Sequence, residues 1–138
     1  MYDSLFSPLK IGSLTIRNRV IMAAMGCGTA NRDGTVSERQ IAYYTQRAQG
    51  GAGLIITGVT RVDDETGAMD ANQISVSKDE TIPSIQRLVR AVHAQGAAIF
   101  LQLHHPGNQT SPRALGGQPT VGPSGIKCQL SNAPCRAM

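Results

Sequence analysis

The sequence predicts an α/β protein in which a short hairpin precedes about three strand–helix units. Three observations support this class: short apolar runs, amphipathic segments between them, and glycine-rich turns at their ends. Strands that alternate with amphipathic helices require parallel crossover connections. This order fits either a doubly wound sheet or the opening units of a (β/α)8 barrel. Because a leading hairpin can plug the bottom of a barrel, we favour the N-terminal portion of a (β/α)8 (TIM) barrel that is incomplete.

The hairpin is predicted from residues 9–11 and 14–17, with Gly12 and Ser13 between them. Glycine beside a small polar residue between apolar runs is a typical hairpin signal. Residues 20–25, VIMAAM, follow as the first strand of the parallel sheet. A continuous apolar run of this length fits a strand that is buried on both faces. Residues 26–28 end it in a flexible turn.

Ser37 opens the first predicted helix, and the glycine pair at residues 50–51 ends it. Ser37 and Gln40 form the S-x-x-Q pattern of a capping box, which satisfies free N–H groups at a helix start. Helical spacing predicts one buried stripe on this helix. The stripe consists of Ile41, Tyr44, Thr45 and Ala48.

The second helix is predicted to start near residues 77–79, where Ser77 and Glu80 offer another capping box. Pro83 is tolerated because it falls in the first turn, and Gly96 ends the helix. One face of this helix carries an apolar stripe at helical spacing. The stripe consists of Ile82, Ile85, Val89 and Val92.

The two remaining strands flank this helix. Residues 54–57, LIIT, form the second strand, which Gly58 closes and a polar loop over residues 61–73 follows. Residues 98–103, AIFLQL, form the third strand. The remainder is rich in Gly, Pro and Ser without a strong period, so we expect residues 104–138 to form a long loop.

The composition excludes two classes of partner. The 138 residues include 13 Lys+Arg against 9 Asp+Glu, a net charge of +4, but the basic residues are scattered and form no nucleic-acid-binding patch. Three Tyr, two Phe and no Trp are too few for a base-stacking platform. The longest apolar run is far shorter than the ~20 residues of a membrane helix. The N-terminus lacks a secretory signal, so we expect a soluble, cytoplasmic protein.

Ligands meet the C-terminal ends of the strands in either architecture. The first two strand ends are rich in small residues, which let a flat ligand approach the main chain. The third carries Gln102 on an otherwise apolar strand. A primary amide donates and accepts hydrogen bonds at once, which matches the imide-like edge of a flavin ring. Spacing alone leaves a second interpretation open, in which Gln102 bonds only a neighbouring side chain or loop backbone.

No metal site is predicted from the histidines or cysteines. His104 and His105 point to opposite sides of a regular strand, and no nearby carboxylate completes a ligand set. Cys27, Cys128 and Cys135 match no zinc-binding spacing. Cys27, which lies between two glycines, is either a thiol near a cofactor or a small buried residue.

Five segments carry a resemblance to a known family. They are LFSPLKIG at 5–12, IRNRVIMAAM at 16–25, LIITG at 54–58, LQLHHPGN at 101–108 and VGPS at 121–124. In order and spacing they resemble the Old Yellow Enzyme family of FMN-dependent NAD(P)H:flavin oxidoreductases. The resemblance is to the branch that contains 2,4-dienoyl-CoA reductase, trimethylamine dehydrogenase and the bile-acid-inducible NADH:flavin oxidoreductases.

The resemblance implies an FMN bed at the three strand ends. The first strand end would contact the flavin N5/O4 edge through its main chain, a glycine would flank the ring, and the glutamine would bond the pyrimidine edge. The implied cofactor-binding residues are Ala23, Ala24, Met25, Gly26, Gly58 and Gln102. Two positions depart from the family pattern: the thiol stands one residue late, at Cys27, and Asn108 replaces the arginine of the Q-x-x-H-x-G-R signature.

The resemblance also implies that NAD(P)H reduces FMN and that hydride then passes to a small unsaturated acceptor. No catalytic residue is assigned, because the family's substrate-anchoring His/Asn pair lies on a later strand. A 4Fe–4S cluster is expected only in a longer parent chain. Since a (β/α)8 barrel needs roughly 250 residues, we interpret residues 1–138 as a partial FMN-binding barrel domain.

Two other hypotheses remain open. The chain could be a catalytically inactive fragment, or a subunit that completes a barrel with another chain, because a three-stranded sheet exposes apolar edges. It could also be an autonomous doubly wound nucleotide-binding module, which would carry a G-x-G-x-x-G turn. Residues 26–31, GCGTAN, lack the third glycine of that pattern.

Overall fold

The alternation of strands and helices is the main feature of the structure, a computed structural model that describes residues 2–129 and 132–138. After an N-terminal hairpin, parallel strands alternate with two helices of 12 residues each. This order confirms the predicted α/β class. In the described part of the chain, no helix is long and apolar enough to cross a membrane.

The hairpin follows a single helical turn, α1 (Asp3–Phe6). Its strands, β1 (Leu9–Ile11) and β2 (Leu14–Ile16), pair antiparallel. Gly12 in the connecting turn has a φ of +59°, in the left-handed region that favours glycine. The predicted hairpin is confirmed, and its second strand is one residue shorter than expected.

The central sheet is parallel and β4 lies in its middle. Its strands are β3 (Ile21–Met22), β4 (Leu54–Arg61), β5 (Ile74–Ser75) and β6 (Ala98–His104). β3 pairs with the first residues of β4, β5 with its last two, and β6 with most of its length. The short strand β5 was not expected from the sequence, which predicts only a loop before residue 74.

Two strand lengths differ from the sequence prediction. β3 ends at Met22 instead of residue 25, and β4 continues to Arg61 instead of ending at residue 57. The chain after Met22 leaves the ladder and crosses over Gly58 of β4, where a Cβ atom would meet the main chain of Met25 and Gly26. A glycine that signals a strand end in the sequence therefore provides a crossing point within a longer strand.

Helix α2 (Glu38–Gln49) begins after Ser37, whose hydroxyl accepts a hydrogen bond from the N–H of Gln40 at 3.1 Å. This half of the predicted capping box is confirmed. The reciprocal half is wrong, because the Gln40 side chain turns to Cys27, with Nε2 3.5 Å from Sγ. The buried face is accordingly rotated from the predicted one. It consists of Gln40, Tyr44 and Ala48, whereas Ile41 and Thr45 are half-buried.

Helix α3 (Ile82–His93) follows a 3-10 turn over Asp79–Thr81. Pro83 lies in the first turn of the helix, as predicted. The predicted capping box at Ser77 is wrong, because the Ser77 hydroxyl accepts a hydrogen bond from the N–H of Asp64 at 3.3 Å. The loop that precedes α3 is therefore tied to the end of β4 and not to the helix.

The apolar stripe predicted for α3 divides between two surfaces. Its buried residues are Ser84, Leu88 and Val92. Ile82 is 45% exposed, and Ile85 and Val89 are half-buried. These three residues belong to an open apolar groove, the α3 groove, which is lined chiefly by Val76, Ile82, Ile85, Val89 and Leu101. The prediction of one buried stripe is correct only for Val92.

The core lies between the two helices and the sheet. Tyr44 and Ala48 of α2 meet Leu88 and Val92 of α3 over Ile55 of β4. Each of these five side chains is fully buried. Consecutive helices that pack against each other on one face of a parallel sheet are what the wall of a barrel requires.

The opposite face of β6 is exposed. Side chains alternate along β6, so that Ile99 packs on the core and Leu101 lines the α3 groove. Phe100, which is 42% exposed, and Gln102 point the other way. The face that would look into a closed barrel thus carries exposed side chains at the C-terminal end of β6.

Residues 104–138 contain more regular structure than the predicted long loop. A 3-10 turn spans Gly107–Gln109, and two three-residue strands, β7 (Thr120–Gly122) and β8 (Cys135–Ala137), pair parallel. Each strand is too short to give a sequence period, which explains why none was detected. No disulfide joins the cysteines of the described residues.

Candidate functional site

The C-terminal ends of β3, β4 and β6 meet at one edge of the sheet. Val59 of β4 pairs with Gln102 of β6, and the main chain of Met25 lies against Gly58. The structure therefore brings together the three strand ends that the sequence singled out. Ala23, Met25 and Gly26 are exposed there, and Ala24 is half-buried.

Gly58 joins two of these strand ends. A Cβ atom at this position would overlap the carbonyl oxygen of Met25 and lie 2.9 Å from Cα of Gly26. The N–H of Gly58 donates a hydrogen bond to the hydroxyl of Tyr44 at 2.9 Å. Both the side-chain position and the N–H of Gly58 are thus used within the protein.

A β-bulge shapes the same edge. The register of β4 against β6 shifts between Ile56 and Val59, so Thr57 and Gly58 together oppose one residue of β6. The N–H of Gln102 donates to the hydroxyl of Thr57 at 3.2 Å. Bulges re-aim side chains next to functional sites, and this one fixes the main chain that carries Gln102.

The side chain of Gln102 is exposed and makes no hydrogen bond to any described residue. The amide is therefore not buried, although the strand is otherwise apolar in sequence. The interpretation in which Gln102 bonds only a protein neighbour is not supported. Its amide remains available for a ligand at the strand ends.

The main chain of residues 24–28 is also available. These residues lie in no helix or strand, and no main-chain hydrogen bond joins them to another described segment. Free N–H groups at such a strand end can bind the polar edge of a flat ligand. Free main chain and an unpartnered exposed amide are the features that an FMN bed requires, so the residues present fit this cofactor.

Behind this edge lies a cluster around Cys27. The thiol is 3.1 Å from the hydroxyl of Thr29 and 3.5 Å from Nε2 of Gln40. Burial raises the pKa of Tyr44, next to this thiol, to about 12. Cys27 itself is half-buried. It therefore sits in a polar cluster instead of the purely apolar packing of a small core residue.

A series of hydrogen bonds links the loops after β4 and β6. Nδ1 of His105 accepts a hydrogen bond from the N–H of Gly107 at 3.0 Å, so Nε2 faces the Thr66 hydroxyl, 3.1 Å away. Thr66 in turn donates to Asp63. That hydrogen bond lowers the pKa of Asp63. His105 is thus held by the loop after β4. The described residues provide no group of three or more His, Cys, Asp or Glu suited to a metal ion.

Three comparisons with known proteins identify the family. Residues 4–138 match the model of the NADH:flavin oxidoreductase / NADH oxidase family. An NADH oxidase from Thermoanaerobacter brockii is 44% identical over 129 residues, which are 94% of this chain and 20% of the relative.

The chain belongs to the NADH:flavin oxidoreductase / NADH oxidase family.

Other family members and structures extend the likeness. A cinnamate reductase from Clostridium sporogenes is 38% identical over 99% of this chain and 21% of its own length. Morphinone reductase in complex with tetrahydroNAD superposes with a TM-score of 0.82 at 35% identity, covering 93% of this chain and 34% of that one. The Old Yellow Enzyme homologue from Zymomonas mobilis gives 0.83 at 31% identity, covering 98% and 39%.

These comparisons confirm the resemblance to the Old Yellow Enzyme family and resolve the choice of architecture. The structural neighbours are barrels, so the chain is the N-terminal part of an α/β barrel and not a doubly wound module. It spans about a fifth of the length of the curated relatives that it matches first. Its described strands form an open sheet, as a partial barrel would.

Sequence reasoning missed the residues that support the strand ends. The sequence places Tyr44 in an apolar stripe, although its hydroxyl binds Gly58. It places Gln40 in a cap and Gln73 in a polar loop, yet both are buried. A polar side chain on the buried side of a helix was the one signal that could have indicated Gln40.

Proposed function

We propose that this chain forms the N-terminal part of an FMN-dependent NAD(P)H oxidoreductase that reduces a small unsaturated acceptor. The observation that carries the proposal is the junction of three strand ends, where unpaired main chain, a crossing glycine and an unpartnered amide face one edge. Family membership supports the same conclusion. The shared ancestry with a cinnamate reductase and an NADH oxidase favours an acceptor and a reductant of these classes.

Each part of the bed would have its own role. The main chain of Ala23, Ala24, Met25 and Gly26 would bind the N5/O4 edge of the flavin, and Gln102 would donate to and accept from the pyrimidine edge. Gly58 would act less by touching the ring than by letting the Met25 main chain cross β4. The bound cofactor would supply the hydride chemistry, while these residues orient it.

An FMN titration of the full-length protein that the gene encodes tests this bed. Replacing Gln102 with Leu removes the amide from an exposed position, so the fold should be retained. Loss of two hydrogen bonds to the ring should raise the Kd for FMN about tenfold, measured by quenching of flavin fluorescence. Gln46→Leu is the matched control, because Gln46 is exposed on α2, away from the strand ends, and this variant should bind FMN normally.

Two outcomes would contradict the proposal. One is a protein that binds no FMN at micromolar concentration. The other is equal affinity in the Gln102→Leu and Gln46→Leu variants, which would place the flavin away from β6.

A second candidate is a subunit that completes a barrel with another chain. The α3 groove is where such a chain would attach, because Ile82, Ile85 and Val89 form an apolar surface where the wall of a barrel would continue beyond β6. Light scattering after size-exclusion chromatography separates the candidates. A monomer that holds FMN supports the first, whereas FMN binding only in a complex of two chains supports the second.

We further propose a cytoplasmic location. The absence of disulfides among the described cysteines is consistent with a reducing compartment. Fractionation of cells that express the protein with its native N-terminus tests this location, and recovery from a membrane or secreted fraction would contradict it.

A further inference from the structure

A cavity of about 300 Å³ lies beside the proposed flavin bed. Its walls come from the chain after β3, the start of α2, the end of β4 and the segment before β5. They include Gly28, Gln40, Gly58, Asp70 and Gln73. The volume is at the lower end of the range for ligand pockets, so it suits a small ligand or one group of a larger ligand.

Two buried amides in this wall each have one polar atom without a partner. Gln40 and Gln73 are each only 4% exposed. Oε1 of Gln40 makes no hydrogen bond, and neither does Nε2 of Gln73. Leaving a buried polar group unpaired costs about 1–3 kcal/mol, and native proteins rarely leave two together. These two atoms therefore indicate a missing partner in the cavity.

The other contacts of the two side chains set the orientation of each amide. Oε1 of Gln73 accepts a hydrogen bond from the N–H of Met69 at 3.0 Å, so Nε2 is the free donor. Nε2 of Gln40 points to Cys27, so Oε1 is the free acceptor. The wall thus offers one donor and one acceptor, and the carboxylate of Asp70 adds acceptors.

We propose that this cavity binds a primary carboxamide group. The ligand carbonyl would accept from Nε2 of Gln73, and the two N–H groups would donate to Oε1 of Gln40 and to Asp70. A carboxylate has no hydrogen to donate and would be repelled by Asp70. A ketone of the same shape would leave the acceptors of Gln40 and Asp70 unpaired. Gly28 has no side chain, and the nearest atom to its Cβ position is an Asp70 carboxylate oxygen at 4.0 Å, so the wall leaves room there for the group to enter.

Two ligands of the proposed reaction could carry such a group: the nicotinamide of the reductant, or an acceptor that is an unsaturated amide. Only the choice between these sources rests on the proposed function. The cavity and its unpaired atoms exist without a flavin. Failure of the carboxamide site would leave the affinity for FMN unaffected, so the two proposals fail separately.

Side-chain amide resonances of the ¹⁵N-labelled full-length protein test the proposal without a mutation. Benzamide should shift the Gln73 NH2 resonances and bind about tenfold more tightly than acetophenone or benzoate, which have the same ring without the carboxamide hydrogens. Competition of nicotinamide or cinnamamide with benzamide then identifies the source.

A pair of variants on one helix provides the second test. Gln40→Leu should weaken benzamide binding about tenfold, whereas Gln46→Leu, an exposed position on the same helix, should leave it unchanged. Equal binding of benzamide and acetophenone would overturn the proposal, since the cavity would then select shape alone. So would unshifted Gln73 resonances at saturating benzamide, which would show that water alone pairs the two amides.

Discussion

Gly58 shows how one residue can serve the fold and the candidate site together. It stands in a β-bulge of β4, its N–H binds the buried hydroxyl of Tyr44, and its Cα lies under the main chain of Met25. The sequence indicates the same residue as a place where a flat ligand could approach. The structure adds that another segment of main chain occupies that approach first.

Gly58→Ala should therefore destabilise the fold. The new methyl group would overlap the Met25 carbonyl, and overpacking of this kind costs about 1–3 kcal/mol. Thermal unfolding should show a lower midpoint for this variant. Gly26→Ala is the control, because a Cβ there would meet nothing closer than a Val59 methyl at 4.0 Å. If the two variants unfold at the same temperature, the crossing is not as tight as the structure shows.

Among the elements, the end of β4 is joined to β5 and the loop before α3 through one carboxylate. Asp64 Oδ1 is 2.7 Å from Nε of Arg61 and accepts the Ser75 hydroxyl at 2.7 Å. Its Oδ2 is 3.2 Å from Nζ of Lys78. Partial burial opposes ionisation, but these three partners outweigh it and lower the pKa of Asp64 from its usual 3.8. Asp64 thus ties three segments together most strongly when it is ionised.

The Asp64 contribution should depend on pH in a defined direction. Because its pKa is lower in the folded than in the unfolded state, the carboxylate stabilises the fold above pH 3.8. That stability is lost as the pH falls through the folded pKa. At pH 7, Asp64→Asn should thus lower the unfolding midpoint and reduce the free energy of unfolding by about 1–3 kcal/mol. This deficit in stability relative to the unchanged protein should shrink towards pH 2.

Glu65→Gln provides the matched control for this pH series. Glu65 is the exposed neighbour of Asp64, and only its main-chain N–H is used in a hydrogen bond. Its replacement should change the unfolding midpoint little at any pH. A deficit in Asp64→Asn that stays constant from pH 7 to pH 2 would contradict the role of the ionised carboxylate.

The elements that the sequence predicts well are those defined by local chemistry. The Ser37 cap and the glycine turn at residue 12 depend on neighbours within four residues, and both are confirmed. The strand ends of the candidate site also lie together as predicted, because parallel strands align their carboxyl ends. Local patterns are sufficient for these features.

Other features depend on residues distant in the chain, and the sequence pattern could not indicate them. The side chain of Gln40 contacts Cys27, which lies 13 residues earlier in the chain. The length of β4 depends on its pairing with β5 and with the end of β6. The exposure of Ile82 depends on which elements pack beside β6, and no periodicity within α3 records those neighbours.

At the scale of the whole molecule, Arg17 joins the hairpin to both helices. Its guanidinium donates to the carbonyl of Gln95 after α3 at 2.8 Å. It also donates to the carbonyls of Ala48 and Ala52, at 2.6 Å and 3.0 Å. These oxygens lie at the C-terminal ends of helices, where free carbonyls and the helix dipole favour a cation. The hairpin is thus anchored to the end of the sheet opposite the candidate site.

Arg17→Lys should show that geometry matters more than charge at this junction. A lysine keeps the charge but lacks the planar fork that reaches three carbonyls on separate segments, so the variant should lose about 1–3 kcal/mol of stability. Hydrogen exchange should also speed up at the last turns of α2 and α3. Arg19→Lys is the control, because Arg19 makes one exposed side-chain hydrogen bond, to Ser7. If Arg17→Lys matches this control in both measurements, the planar fork is not needed, and a cation of any shape at this position is sufficient to anchor the hairpin.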